Sequence, residues 1–452
     1  MDRRSFLKST AVLAAGTAFT DAALAQEGAA PQEKAEPHMP AKLITSAPML
    51  QNYAETSMGV AFTVSALASG YVIYGRQSDL SDGVKVKCGG YRVTDLNSDV
   101  MLIRLTGLEP ATKYYYRIGA DCINYVHGHR MMILGTEEDP RIYSFTTAGK
   151  DAKAHFCVIN DTHKSDPVFD RLTEKIAAIA PSCVVWNGDT MSHAEDIETL
   201  KETLFYPEIK IRDYASETPY LLSCGNHDVR GLAARHYERA WMFRQPEERS
   251  SRDWDLGRCF AVRMGDVAMI GLDTGEDKVD TNPIFCNLFN SEPYREAQAK
   301  WLEDALRRPE IASAPYIVAF CHIPLHDADP AANPGDIHPA DKDPRYRLDY
   351  AEWQRYCYQL WGPLLENAGC QLLVCGHTHT YRRDDPCEAH SWTMLVGGGP
   401  SLDSDTDFAT VIEGKVEGGR LAVTVHNAAT GKVVDSVSIA PRKKRSVPKI
   451  RR

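Results

Sequence analysis

Nowhere in the 452 residues does an apolar run reach the roughly 18 that a membrane-spanning helix requires. No stretch therefore qualifies as a transmembrane helix. A basic excess is also missing: 51 Lys and Arg against 61 Asp and Glu leave a formal charge of -10. The body of such a chain repels a phosphate backbone, which argues against non-specific nucleic-acid binding. No internal repeat is present, and none of the 12 cysteines shows the closely paired spacing of a zinc knuckle. What remains, 43% hydrophobic and 25% charged residues, is the composition of an ordinary globular protein long enough for two or three folded units.

The N-terminus carries a targeting pattern. Arg3 and Arg4 precede Ser5, Phe6, Leu7 and Lys8, then an Ala-rich stretch, then Ala23-Leu24-Ala25. This resembles a bacterial twin-arginine signal over residues 1–25 and implies an exported, periplasmic or secreted protein. Residues 26–40, rich in Glu, Ala and Pro, read as a linker, and 441–452 as a basic tail exposed to solvent. Cys157, Cys183, Cys224, Cys321 and Cys375 each lie in or beside a short apolar run and read as buried free thiols. Cys88, Cys122, Cys286, Cys370 and Cys387 are open to bridging, with no pairing specified.

Two rhythms divide the rest. Residues 41–148 show strand alternation, as at Val60, Phe62 and Val64, and no helical period. The turn and tyrosine-bearing run from Arg104 to Ile118, with Tyr143 to Thr147, resemble a fibronectin type III sandwich. From 151 to 440 the pattern becomes apolar strand, polar loop, helix, which is α/β architecture. Strands are expected at Phe156 to Ile159, Cys183 to Asn187, Tyr220 to Ser223, Phe260 to Met264, Ala268 to Asp273, Tyr316 to Cys321, Leu372 to Cys375 and Trp392 to Val396. Helices are expected over Val168 to Ala180, Glu296 to Arg307 and Tyr350 to Asn367. The long segments Arg230 to Gly257, Thr274 to Pro293 and Leu325 to Arg347 have the length of pocket walls.

Five short segments end apolar strands: Asp161-Thr162-His163, Gly188-Asp189, Gly225-Asn226-His227-Asp228, Cys321-His322 and Gly376-His377-Thr378-His379. Open α/β sheets bind ligands at strand C-termini, so these side chains are expected to converge. Mixed carboxylate, amide and imidazole donors suit a pair of transition metals. A lone Gly-Asp is an ordinary turn and a lone histidine an ordinary polar residue; five such segments in order are neither.

The series, from Phe156 to Val396, resembles the calcineurin-like metallophosphoesterase signature. That resemblance implies a two-sheet αββα sandwich behind the fibronectin-like domain. It implies two divalent ions of Fe, Mn or Zn, with Asp161, His163, Asp189 and His379 on one and Asn226, His322 and His377 on the other, Asp189 bridging. His227 would be the catalytic proton donor or phosphoryl clamp. Tyr381 and Arg383 bring the pattern close to the purple acid phosphatase branch. The chain departs from that branch where His163 replaces a small residue and Ser192 a tyrosine. Other members of the superfamily have, at Ser192, an aspartate that orients the catalytic histidine, which leaves Asp228 or His193 as the orienting group here. The implied activity is hydrolysis of a phosphomonoester. A phosphodiesterase or nucleotidase would share the metal core, and a non-catalytic surface module is the reading of a different class.

Overall fold

The fold was analysed in a computed structural model of the protein, which describes residues 37–89, 99–243, 256–326 and 344–442. The expected export signal, most of the linker and nearly all of the basic tail lie outside the described residues, as do 244–255 and 327–343 of the long segments.

Strands with apolar residues on both faces need a covering layer on each. In Cys183–Asn187, Cys183 and Val185 point into the space between two sheets, while Val184 and Trp186 point outward to a layer of helices. In Tyr316–Cys321 of the second sheet, Val318 and Phe320 face inward and Ile317, Ala319 and Cys321 outward. The result is the expected helix–sheet–sheet–helix sandwich. One outer layer is Asp166–Ile179, which buries Val168, Phe169, Leu172 and Ile176 along one stripe. The other is Glu292–Arg307 with Pro344–Ala368, which bring Trp301, Leu302, Trp353 and Trp361 onto the second sheet.

The first sheet has nine strands with a parallel centre, in which His155–Ile159, Cys183–Asn187 and Tyr220–Ser223 lie side by side. The second has six, with Val267–Leu272, Tyr316–Cys321, Leu372–Cys375 and Thr393–Val396 parallel. Parallel strands bring their C-terminal ends to one edge. That edge carries every segment singled out in the sequence.

Two features were not expected. Thr410–Glu417, Arg420–Asn427 and Val433–Ile439 extend the first sheet, Thr410–Glu417 running antiparallel to His155–Ile159 with Ile412 opposite Val158. The signal was Gly418-Gly419, whose φ values of 57° and 74° allow the tight two-residue turn between the first two of them. At the other edge, the N-terminal strands divide between two sheets. Val84–Lys87, Ala68–Gly75, Lys113–His127, Arg130–Glu138 and Tyr143–Thr146 form one, in which Tyr114 Oη accepts from Glu109 N at 3.0 Å. Met49–Gln51, Ser57–Thr63 and Val100–Thr106 instead continue the nine-stranded sheet, Gln51 pairing in parallel with Tyr220. From Met39 onward the chain is one unit.

All 12 cysteines are free thiols. The five expected in the core are buried, as are Cys122 and Cys370, while Cys286 and Cys387 are exposed. Among the described residues no helix is long and apolar enough to cross a membrane.

Candidate metal centre

The chain bends sharply at the strand ends that carry these groups. Asp161, His163, Asp189, His377 and His379 all have φ between 47° and 74°, a left-handed conformation that costs a residue other than glycine about 1–3 kcal/mol. Five such residues at one sheet edge mark a place where backbone preference yields to side-chain placement. Two glycines make room for them. A Cβ at Gly188 would collide with His322 Nδ1, and one at Gly376 with Asp161 Oδ2. The Gly-Asp and Gly-His pairs are thus close-approach sites as well as turns.

Three overlapping groups of ligand atoms result: Asp161, His163 and His379; His163, Asp189 and His227; Asp189, His322 and His377. Asp189 and His163 each belong to two. His163 Nε2 and His379 Nε2 are 3.1 Å apart, and His379 Nε2 is 3.4 Å from Asp161 Oδ1. On the other side His322 Nε2 is 3.1 Å from Asp189 Oδ2, and Asn226 Oδ1 is 3.0 Å from His377 Nδ1. All seven expected ligands therefore meet at one edge, with His227 beside them.

Neighbouring groups fix which atoms face the centre. Asn160 Nδ2 donates to Asp161 Oδ2 at 2.6 Å and to Gly398 O at 3.0 Å, and His377 N donates to the same Oδ2 at 2.9 Å. This leaves Asp161 Oδ1 buried without a protein partner. His322 Nδ1 lies 2.8 Å from Asn187 O, so Nδ1 carries a proton and Nε2 is turned toward the two carboxylates, 3.1 Å from Asp189 Oδ2, without a hydrogen bond. A carboxylate oxygen and an imidazole nitrogen, fully buried, 3.7 Å apart and without a hydrogen bond, are better satisfied by a cation between them. The residues present therefore fit a bound metal.

The charges agree. Burial pushes the Asp161 carboxyl up, but the facing imidazoles of His322 and His379 outweigh it and hold it at about 2. Asp189 lies further below the usual range, burial again being outweighed, here by His322, His227 and His163. Burial lowers His322, yet Asp189 and Asp161 raise it to about 10. The two carboxylates thus call for positive charge at this place. His163 and His377 are pushed down to about 4, chiefly by burial, and stay neutral donors.

The group that orients His227 is neither of the two expected. Asp228 is fully buried and accepts from Asp189 N at 2.9 Å, Thr190 N at 3.0 Å, Thr190 Oγ1 at 2.6 Å and Gly225 N at 2.8 Å. It ties two ligand loops together and is fully engaged in doing so. The ring of His193 lies edge-on to that of His227 with centroids 5.8 Å apart. What holds His227 is the carbonyl of Ser192, 2.7 Å from Nδ1. A carbonyl only accepts, so Nδ1 carries the hydrogen and Nε2 faces the centre, 4.0 Å from Asp189 Oδ2. The backbone of Ser192 does this work, not its side chain. Its Oγ also lies 3.4 Å from His163 Nδ1. Tyr381 faces away from the centre, its hydroxyl donating to Asp435 at 2.7 Å.

Sequence reasoning missed Arg230, Glu276 and Asp277. Arg230 Nη1 reaches His227 Nε2 at 3.2 Å, while its Nε and Nη2 donate to the two oxygens of Glu276 at 2.7 and 2.8 Å. Asp277 Oδ2 lies 3.8 Å from His377 Nε2. Both acids follow the strand Val267–Leu272, so the strand-end rule that found the ligands also pointed to the run Asp273 to Asp277.

Two layers of sheet with carboxylates, imidazoles and an amide gathered at their C-terminal edge define an αββα sandwich with a candidate metal-binding edge. Comparison with known proteins gives the family. The sequence model of calcineurin-like phosphoesterases matches residues 154–381, just over half of the chain and every residue of the centre, and the chain belongs to that family. Probable purple acid phosphatase 20 of Arabidopsis thaliana is 25% identical over 282 residues, covering 61% of this chain and 53% of that protein. Purple acid phosphatase 21 of the same plant is 23% identical over 310 residues, covering 66% and 57%. The chain thus spans somewhat over half the length of these relatives. Among solved structures, purple acid phosphatase PPD1 from yellow lupin (Lupinus luteus) seeds has a TM-score of 0.60 at 14% identity, covering 87% of this chain and 74% of its own. PhoD has a TM-score of 0.55 at 12% identity, covering 89% and 94%. Both share the fold.

Proposed function

We propose that this protein is an exported, dinuclear metal-dependent phosphoesterase acting on phosphomonoesters. The observation that carries the reading is Asp161 Oδ1 and His322 Nε2, buried without a hydrogen bond among the converging side chains of Asp161, His163, Asp189, His322, His377 and His379. The purple acid phosphatase names of the curated relatives support the monoester class, and the twin-arginine pattern at Arg3 and Arg4 supports export. Asp161, His163 and His379 would hold one ion and Asn226, His322 and His377 the other, with Asp189 shared. Divalent ions of Fe, Mn or Zn suit this set, because Asp161 and Asp189 are its only anionic members and Ser192 stands where a tyrosine would have added a third. When bound, such a pair supplies Lewis acidity toward phosphoryl oxygens and acidifies water.

The chain's own contribution is placement. Asn160, Asn187 and Asp228 fix the donors before substrate arrives. His227, held through Nδ1 by Ser192 O, keeps Nε2 at the edge of the centre, where it can take up a proton from water and pass it to the departing oxygen.

The test is removal and return of metal. After chelation, hydrolysis of p-nitrophenyl phosphate should disappear and then recover with one of the three divalent ions, while bis(p-nitrophenyl) phosphate should be the poorer substrate. Turnover that survives complete metal removal, or a preference for the diester, would overturn the proposal.

A further inference from the structure

Arg230 occupies an unusual position for a cation next to a metal centre. Its guanidinium is mostly buried, and its charge is answered by Glu276, which is nearly fully buried and takes both Nε and Nη2 in a fork. Asp277 adds a longer contact at 3.5 Å, and Lys278 is in turn paired with Asp277 at 2.6 Å. This bracing fixes the plane of the guanidinium and leaves Nη1 pointing elsewhere. Nη1 donates to His227 Nε2, a neutral imidazole at the rim of the donor cluster, 4.0 Å from the shared Asp189. A neutral nitrogen is a weak acceptor for a cationic N–H compared with a phosphoryl oxygen. A charged hydrogen-bond donor at the rim is thus held in position with a replaceable partner.

We infer that Arg230, braced by Glu276, grips a phosphoryl oxygen of the substrate and gives this centre its preference for dianionic phosphomonoesters, His227 Nε2 standing in for that oxygen when no substrate is bound. The inference rests on the phosphoesterase reading above and adds the residue that selects within it. A monoester dianion carries charge on three terminal oxygens, one more than a diester, and so has an oxygen for the guanidinium beyond those that face the ligand set. When the phosphoryl group takes over the Nη1 hydrogen, the lone pair of His227 Nε2 is released from Arg230 and can take up a proton from water, which it then gives to the leaving oxygen. One displacement thus couples substrate grip to proton transfer.

Metal-loaded wild type, Arg230→Gln, Arg230→Lys and Glu276→Gln are compared by three measurements: metal content, affinity for inorganic phosphate by calorimetry, and kcat/KM on p-nitrophenyl phosphate and methyl p-nitrophenyl phosphate, which share a leaving group. Arg230→Gln is expected to keep its metal, to lose about 10- to 100-fold in phosphate affinity and in monoester kcat/KM, and to change little on the diester. Arg230→Lys should recover part of the loss by charge alone. Glu276→Gln should show a smaller loss of the same selectivity. Equal losses on both esters, or unchanged phosphate affinity in Arg230→Gln, would overturn the assignment. If the metal-loaded wild type hydrolyses neither ester, the phosphoesterase reading fails, and the phosphate affinities of the variants still decide whether Arg230 is the clamp.

Discussion

At the residue scale the centre is defined less by its ligands than by what holds each one. Asp161 presents Oδ1 because Asn160 and the His377 amide occupy Oδ2, and His322 presents Nε2 because Asn187 O takes Nδ1. His227 follows the same logic with a backbone carbonyl as its orienter. Replacing His227 with Asn should therefore leave metal content intact. It should slow alkyl phosphates by about 100-fold or more and activated aryl phosphates by less than tenfold, as expected for loss of a proton donor. Metal analysis together with rates across a series of leaving groups checks this; a uniform loss across the series would assign His227 to binding. The ligand residues were legible in the sequence because strand-ending Asp, Asn and His carry their own signal. Arg230 was not, because an arginine in a loop gains meaning only once a distant pair, Glu276 and Asp277, is folded against it.

At the scale of elements, the strand Tyr220–Ser223 links fold and chemistry. It runs directly into Gly225-Asn226-His227, and its outer edge is closed by Gln51 of the N-terminal region in parallel register. Tyr116 Oη, from the other N-terminal sheet, donates to Ser216 O just ahead of that strand at 2.6 Å. Removing residues 41–148 would uncover this edge and the apolar faces packed on it, leaving unpaired backbone groups beside the loop that carries Asn226. The truncated chain is expected to be insoluble or unfolded, as read by yield and circular dichroism. A soluble truncation with wild-type metal content and turnover would show that the two regions are independent. The sequence showed the change of rhythm near residue 150 but not the shared sheet, since alternation along a strand carries no record of which neighbour it pairs with. The C-terminal strands were hidden for a related reason: Val433–Ile439 is half-exposed and short of the apolar runs that marked the central strands.

At the scale of the whole molecule, two sheets align their C-terminal ends, left-handed turns project donors over that edge, and buried amides and carboxylates lock the donors around a space with negative charge to spare. The parallel order of the strands was readable from the alternation of apolar runs and helices, and the convergence followed from it. The strain at Asp161, His163, Asp189, His377 and His379 was not readable, because φ is a property of the folded loop. The claim on which the account stands is that this space exists to hold two metal ions around one shared carboxylate. The most direct measurement is elemental analysis of purified wild type and Asp189→Asn, paired with hydrolysis of p-nitrophenyl phosphate. The account predicts two divalent ions per wild-type chain, with both metal content and turnover sharply reduced in the variant. Two ions and near wild-type turnover in Asp189→Asn would contradict it.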